Sequence, residues 1–410
     1  MRLTAALAGI TIGAGHAAAQ GRGGSVTASW GAQATLELVA TNLVPGGGGG
    51  DRSLTEARIV MPVGMLHAAA LGGRVRVLAA AHLEKYTIPN GELAPGNWGE
   101  SFTDRRHPHT LAHELMLVTS DLLGNVDGRV NLFLAVGKGF VPFGTDDPMS
   151  RPAVRFPVNH HLSQILERAV VLAGVRAGPA TLEGAVFNGD EPVAPGSWPA
   201  WDRFGDSWAA QLTLVPLPGL EAQGSLALVQ APENRPGAGP DDRKASASAR
   251  YERGPWYGQL EWARTATAGG AFVFHSLLAE AALTMPGHRP YVRIERSERP
   301  EEERVFGNPF RTRRPLFENS IFGITRWTVV TGGDAVEVLR NPLRGAPFVE
   351  VSWIGIARTG GGVFDPTVFY GRTQSASIAV GIRFAAGMRM HRMGRYQPAA
   401  RHDMSAMSVP

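Results

Sequence analysis

Apolar and polar residues alternate with period two along most of this chain. The clearest stretch is Trp256-Tyr257-Gly258-Gln259-Leu260-Glu261-Trp262. Trp256, Gly258, Leu260 and Trp262 share one face, and Tyr257, Gln259 and Glu261 share the other. Side chains that alternate between two faces are the mark of a β-strand, whereas a helix would repeat its apolar positions at i, i+3 and i+4. A tight Arg253-Gly254-Pro255 turn joins this strand to Ala245–Glu252, where small and polar residues alternate. The same unit recurs elsewhere. Trp208, Ala210, Leu212 and Leu214 oppose Ser207, Gln211 and Thr213, and after the Pro216–Gly219 turn Leu226 and Leu228 oppose Glu221, Gln223 and Ser225. Val130, Leu132, Leu134 and Val136 alternate with Asn131; Arg74 and Arg76 alternate with Val75 and Val77; Ile378, Val380, Ile382 and Phe384 oppose Ser377 and Arg383. The whole chain reads as about 16 strands, each near the ~10 residues that a tilted membrane strand requires. The pattern is weakest over 331–346, where Asp334 to Leu339 fits a short helix or a turn.

The connections sort by length. Short turns fall near 71–73, 124–128, 177–179, 216–219, 253–255 and 286–290. Longer segments fall near 43–55, 87–110, 143–163, 190–206, 232–242, 300–317 and 360–373. The two kinds mostly alternate, and the short Gly269-Gly270 connection breaks the rule. Outer-membrane barrels have short turns at one end and long loops at the other, and a soluble sandwich has no reason to do so. Trp208, Tyr251, Trp256, Trp262, Trp327 and Trp353 lie near strand ends and are candidates for interfacial aromatic girdles. The expected fold is all-β: a transmembrane antiparallel barrel over residues 20–387, in which closure pairs every backbone polar group in lipid.

The N-terminus supports export. Met1-Arg2 is a short positive region, Leu3 to Gly15 is mostly apolar, and Ala17-Ala18-Ala19 before Gln20 has the form of a cleavage site. Residues 1–19 are therefore read as a signal peptide. No later run of 18 or more apolar residues occurs, so no transmembrane helix is expected after it.

Composition narrows the chemistry. The chain has 410 residues, no cysteine, 44% hydrophobic and 19% charged residues, and 51 glycines. Without cysteine there is no disulfide scaffold, thiolate metal site or cysteine nucleophile. The formal charge is +4, and only Lys85, Lys138 and Lys244 among the 40 basic residues are lysines. Arginines are interleaved with acids, as in Arg293-Ile294-Glu295-Arg296, and do not form the basic block of a nucleic-acid binder.

One segment is distinctive. Gly137-Lys138-Gly139-Phe140-Val141-Pro142-Phe143-Gly144-Thr145-Asp146-Asp147 resembles the G-x-F-x-x-P-F-G-x-(D/E)-(D/E) stretch of the phosphate-selective porins, the O and P type of Gram-negative outer membranes. Glu167–Arg176 is similar to that family's R-x-x-G-(V/I) strand, and Phe187-Asn188-Gly189-Asp190 to its F-N-G strand end. The resemblance spans 137–190. It implies a 16-stranded barrel for passive anion diffusion, a homotrimer, and a long loop folded inward. The corresponding segment here is 144–163, which carries Arg151, Arg155, His160 and His161 beside Asp146 and Asp147. The chain departs from the family in having three lysines, a modest net charge, and a polar tail over 388–410 after Phe384 in place of a terminal aromatic residue. Phosphate specificity is therefore not expected.

Candidate selectivity residues are those on polar strand faces or in the inward segment: Arg74, Arg76, Lys138, Arg151, Arg155, His160, His161, Arg250, Arg293 and Arg383. His107, His109 and His113 with Glu114 superficially resemble a metal site. Pro108 breaks any helix there, and a spacing of four along a strand separates ligands by about 13 Å. No metal or other cofactor is expected. Gly46 to Gly50 reads as a flexible loop, since no Gly-Lys-Ser/Thr follows. The expected function is an outer-membrane porin passing small solutes with an anion preference and no catalysis. The alternatives are a non-conducting barrel serving as adhesin or anchor, and an outer-membrane enzyme, although no G-x-S-x-G elbow is present.

Overall fold

The structure, a computed structural model, describes residues 17–19, 26–43, 53–87, 110–124, 128–158, 160–192, 196–230, 240–302, 321–338, 343–388 and 392–397. Sixteen antiparallel strands form one barrel: β2 (Val26–Thr41), β3 (Leu54–Ala70), β4 (Val75–His82), β5 (Ala112–Gly124), β6 (Val130–Gly139), β7 (Arg168–Ala177), β8 (Ala180–Phe187), β9 (Ser207–Leu217), β10 (Leu220–Val229), β11 (Asp242–Arg253), β12 (Trp256–Thr267), β13 (Phe272–Leu283), β14 (Arg289–Glu302), β15 (Ile321–Ala335), β16 (Leu343–Arg358) and β17 (Gln374–Gly387). Each strand pairs with its sequence neighbour. The barrel closes where β17 meets β2, from Ser377 opposite Thr41 to Gly387 opposite Gly31. A three-residue β1 (Ala17–Ala19) pairs with Val26–Ala28 at the start of β2.

The sorting of connections holds, and the Gly269-Gly270 exception finds its place. The connections β3–β4, β5–β6, β7–β8, β9–β10, β11–β12, β13–β14 and β15–β16 all leave from one end of the barrel. The Ala268–Gly270 turn lies at the opposite end with the long loops, so it is a short connection on the long-loop side and alternation is unbroken. The ambiguous stretch after Ala335 continues the ladder into a turn: Val336 N–H donates to the Pro347 carbonyl at 2.8 Å and Val338 N–H to that of Gly345 at 2.9 Å.

Burial is inside-out relative to a soluble protein. On β9, Trp208, Leu212 and Leu214 are exposed while Ser207, Gln211 and Thr213 are buried. On β12, Trp256 and Leu260 face out while Tyr257, Gln259 and Glu261 face in, and on β17 Ile378 and Val380 face out opposite Ser375 and Ser377. A continuous apolar exterior around polar interior positions is a lipid-facing surface. Trp208, Tyr251, Trp256 and Trp353 lie on it. Trp327 does not. It faces inward, fully buried, with its ring 5.7 Å from Tyr370 and the Arg299 guanidinium 4.8 Å above it. Its parity along β15 places it with Thr325 and Val329 rather than with the outward Val330.

The interior also holds apolar side chains. Phe140, Met149, Val154, Phe156 and Leu166 from the β6–β7 connection pack on Val39, Val60, Val63 and Phe348 of the wall, and Met393 of the C-terminal segment joins them. Val141, Phe143, Ile165 and Tyr396 pack on Met116, Phe133 and Phe187. Among the described residues, the segment between β6 and β7 and the segment after β17 are thus folded into the lumen. Arginine in place of the outward, mid-strand Leu212 should destabilise the barrel by about 2–4 kcal/mol in unfolding from lipid vesicles. Thr213→Ser, one residue along and facing inward, should cost under about 1 kcal/mol.

Candidate functional site in the barrel lumen

The β6–β7 connection turns inward for identifiable local reasons. Gly144 has φ +77°, and a Cβ there would lie 1.5 Å from the Ser163 carbonyl oxygen, so only glycine fits. The Asp147 carboxylate accepts from Met149 N–H at 2.8 Å and Pro148 occupies the first position of the short 3-10 turn Pro148–Ser150. The Asn188 side chain accepts from Ala169 N–H at 2.7 Å and donates to the Asp190 carbonyl at 2.7 Å, tying the end of β8 to β7. Gly144, Asp147 and Asn188 of the motif therefore each have a structural task at the base of the segment.

The segment is held by wall side chains. Gly144 N–H donates to Ser225 Oγ at 2.9 Å, and Gln211 Nε2 donates to the Gly144 carbonyl at 2.9 Å. The Glu350 carboxylate of β16 accepts from Val154 N–H at 2.8 Å and Arg155 N–H at 3.2 Å, and Glu295 of β14 accepts from Val158 N–H at 2.6 Å. Irregular backbone has no ladder to satisfy its N–H groups, and the wall carboxylates supply that need with charge-assisted bonds.

Five of the ten candidate residues meet around this segment. Arg151 pairs with Glu261 of β12 and donates to Thr145 Oγ1 at 2.9 Å and the Asp146 carbonyl at 2.7 Å. Arg293 pairs with Glu280 at 2.5 Å and donates to the Arg155 carbonyl at 2.5 Å. Arg383 donates to the carbonyls of Arg151 and Pro152 at 3.3 and 3.2 Å. Arg250 Nε lies 3.0 Å from Asp146 Oδ2. Arg155 is buried, and none of its three guanidinium nitrogens makes a hydrogen bond among the described residues.

The others lie apart. Arg76 donates to the Tyr396 carbonyl at 2.6 Å, and Lys138 donates to Thr110 Oγ1 with its ammonium 5.6 Å from the Trp198 ring centre. Arg74 sits at the short-turn mouth, largely exposed, 3.5 Å from Asp121. His160 and His161 fall in the one-turn helix His160–Ser163, and their side chains lie outside the described residues. So do His107, His109 and the five glycines 46–50. His113 Nδ1 meets Glu167 Oε1 at 2.6 Å and its ring lies 5.3 Å from that of His82. Among the described residues no group of three or more His, Asp or Glu is placed to hold a metal ion.

Sequence reasoning missed the acids and the tail. Glu261, Glu280, Glu295 and Glu350 all lie on inward strand positions, so period two could have found them. The part played by Arg392, Arg395 and Tyr396 had no periodic signal. Burial alone would raise the Asp146 carboxyl, but Arg392, Arg250 and Arg395 outweigh it and hold its pKa well below the usual carboxylate range. A lowered folded pKa contributes stability that is present above the unfolded value and lost only as pH falls through the folded one. Asp146 therefore stays ionised through the mildly acidic range. Gly144→Ala should strain the base of the segment by about 1–3 kcal/mol. The expected result is faster proteolysis within 144–163 in a barrel that remains folded by circular dichroism.

No protein-family model matches the sequence, and no characterised protein matches it at the sequence level. Solved structures do match its shape. The anion-selective porin from Comamonas acidovorans aligns over 88% of this chain and 99% of its own, with a TM-score of 0.52 and 11% identity. The Salmonella typhi OmpF, in complex with daunomycin, aligns over 90% of this chain and all of its own, with a TM-score of 0.50 and 11% identity. At such identity the likeness is one of architecture: the chain has the closed 16-stranded fold of the outer-membrane porins.

Proposed function

We propose that the protein is a porin of the outer membrane of a Gram-negative-type bacterium, passing small solutes by diffusion with a mild preference for anions. The observation that carries this reading is the charged segment 144–163, folded into a lipid-facing barrel and bonded to its polar inner wall. Such a segment narrows a lumen and lines the gap with fixed charges, the two elements from which a diffusion pore draws its selectivity. The anion preference is supported by Arg155, whose guanidinium nitrogens make no hydrogen bond among the described residues, and by Arg383, which bonds the backbone of the same segment. The resemblance of 137–190 to the phosphate-selective porins points the same way. Three lysines and the many arginine–carboxylate pairs argue against phosphate specificity. Cleavage after Ala19 would remove β1 with the signal, and a homotrimer is the assembly proposed.

The second reading is a barrel that does not conduct and anchors its long loops at the cell surface. The apolar packing of Phe140, Phe143, Met393 and Tyr396 inside the lumen favours it. Planar bilayers separate the two. The porin should give stepwise conductance with a reversal potential favouring anions, and silence from correctly folded protein would sink that reading. Arg155→Ala should shift the permeability ratio toward cations. One unit charge about 4 Å from the path in a water-like medium is worth about 1 kcal/mol, roughly fivefold.

A further inference from the structure

The chain leaves the wall at Gly387, whose φ is +70° and whose added Cβ would lie 2.3 Å from the Trp30 carbonyl oxygen. Met388 N–H then donates to that carbonyl at 2.8 Å. Residues 392–397 lie inside the barrel. Arg392 forms a two-pronged pair with Glu221 (Nη1 at 3.0 Å, Nη2 at 2.7 Å), and its Nε donates to Asp146 Oδ1 at 2.8 Å. Arg395 donates to Gln211 Oε1 at 2.9 Å and Gln223 Oε1 at 2.6 Å, with Asp146 3.5 Å away. Tyr396 donates to Glu114 at 2.8 Å and accepts from Phe140 N–H at 3.0 Å.

The fit is specific in shape as well as charge. A Cβ on Gly139 would lie 2.4 Å from the Tyr396 hydroxyl, and one on Gly394 would lie 3.0 Å from Phe140 Cβ, where φ is already +78°. The receiving surface holds the carboxylates of Asp146, Glu221 and Glu114, the amides of Gln211 and Gln223, and two wall arginines, Arg250 and Arg76. Three carboxylates against two arginines leave it negative without the tail. The planar guanidinium fork matches paired carboxylate and amide oxygens, and an ammonium does not.

We propose that this surface is a lumenal guanidinium-binding site whose resident occupant is the chain's own Arg392–Tyr396 segment, and that guanidinium-bearing solutes such as arginine displace that segment. Asp146 belongs at once to the inward segment and to the site, so the tail clamps residues 144–163 against β9, β10 and β11. Release removes two cationic groups from the lumen and bares Asp146 and Glu221, which turns the local field toward cations. The consequence for conductance rests on the porin reading; occupancy and displacement do not.

The chain has no cysteine, so one introduced thiol reports the segment alone. Full-length Met393→Cys and, separately, Gln397→Cys, which keeps the Met393 packing, are refolded in vesicles. Each is labelled with a hydrophilic thiol reagent. Labelling should be slow, and on the order of tenfold faster or more when R392A/R395A or D146N/E221Q is added, since bonds to charged groups are lost. L-arginine should accelerate it at concentrations above the millimolar effective concentration of a tethered competitor, and L-lysine should not. Labelling indifferent to both double variants and to arginine overturns the proposal, as does equal acceleration by lysine. In bilayers R392A/R395A should raise conductance and shift selectivity toward cations. Responsive labelling in protein that never conducts would defeat the porin reading and leave this one standing. Indifferent labelling in a conducting protein would do the reverse.

Discussion

Everything in this molecule depends on one constraint: in hydrocarbon, each backbone N–H and C=O must find its partner within the protein. The pairing of β17 with β2 meets it for the two strands that would otherwise be edges. Closure in turn fixes an inside and an outside. Each strand then divides its residues between lipid and lumen, so Leu212 and Thr213 experience opposite solvents although they are neighbours in sequence.

Inside the barrel the same rule acts on groups that have no ladder. The segment after Gly139 carries irregular backbone through the lumen, and Ser225, Gln211, Glu295 and Glu350 provide its hydrogen bonds. Those carboxylates would be costly to bury alone. Arg151 beside Glu261 and Arg293 beside Glu280 show how the wall balances them. Removing one member of such a pair strands the other, which costs more than the pair is worth. The lumen is therefore a coupled network, and Asp146 is one of its junctions, reached by Arg250 from the wall and by Arg392 and Arg395 from the tail.

Glycines mark where backbone must pass close to other atoms. Gly144 and Gly387 take positive φ where the two lumenal segments begin, and Gly139 leaves room for the Tyr396 hydroxyl. Two of the three belong to the stretch that resembles the phosphate-selective porins. The local part of that motif is thus explained by chain geometry, independent of any solute.

The strand count, the sorting of loops and the inward parity of Arg250, Arg293 and Arg383 were legible in the sequence, because period two is a local property that survives any rearrangement of neighbours. Even Gly269-Gly270, which broke the length rule, kept the alternation of ends. Trp327 was misplaced because an aromatic near a strand end reads the same whether it meets lipid or Arg299; only its register along β15 decides. The pairing of Arg151 with Glu261, and the docking of Arg392 on Glu221 and Asp146, were beyond reach for another reason. These partners lie 110 to 246 positions apart. No periodicity links them, and only closure of the barrel around the two inward segments brings them within hydrogen-bonding distance.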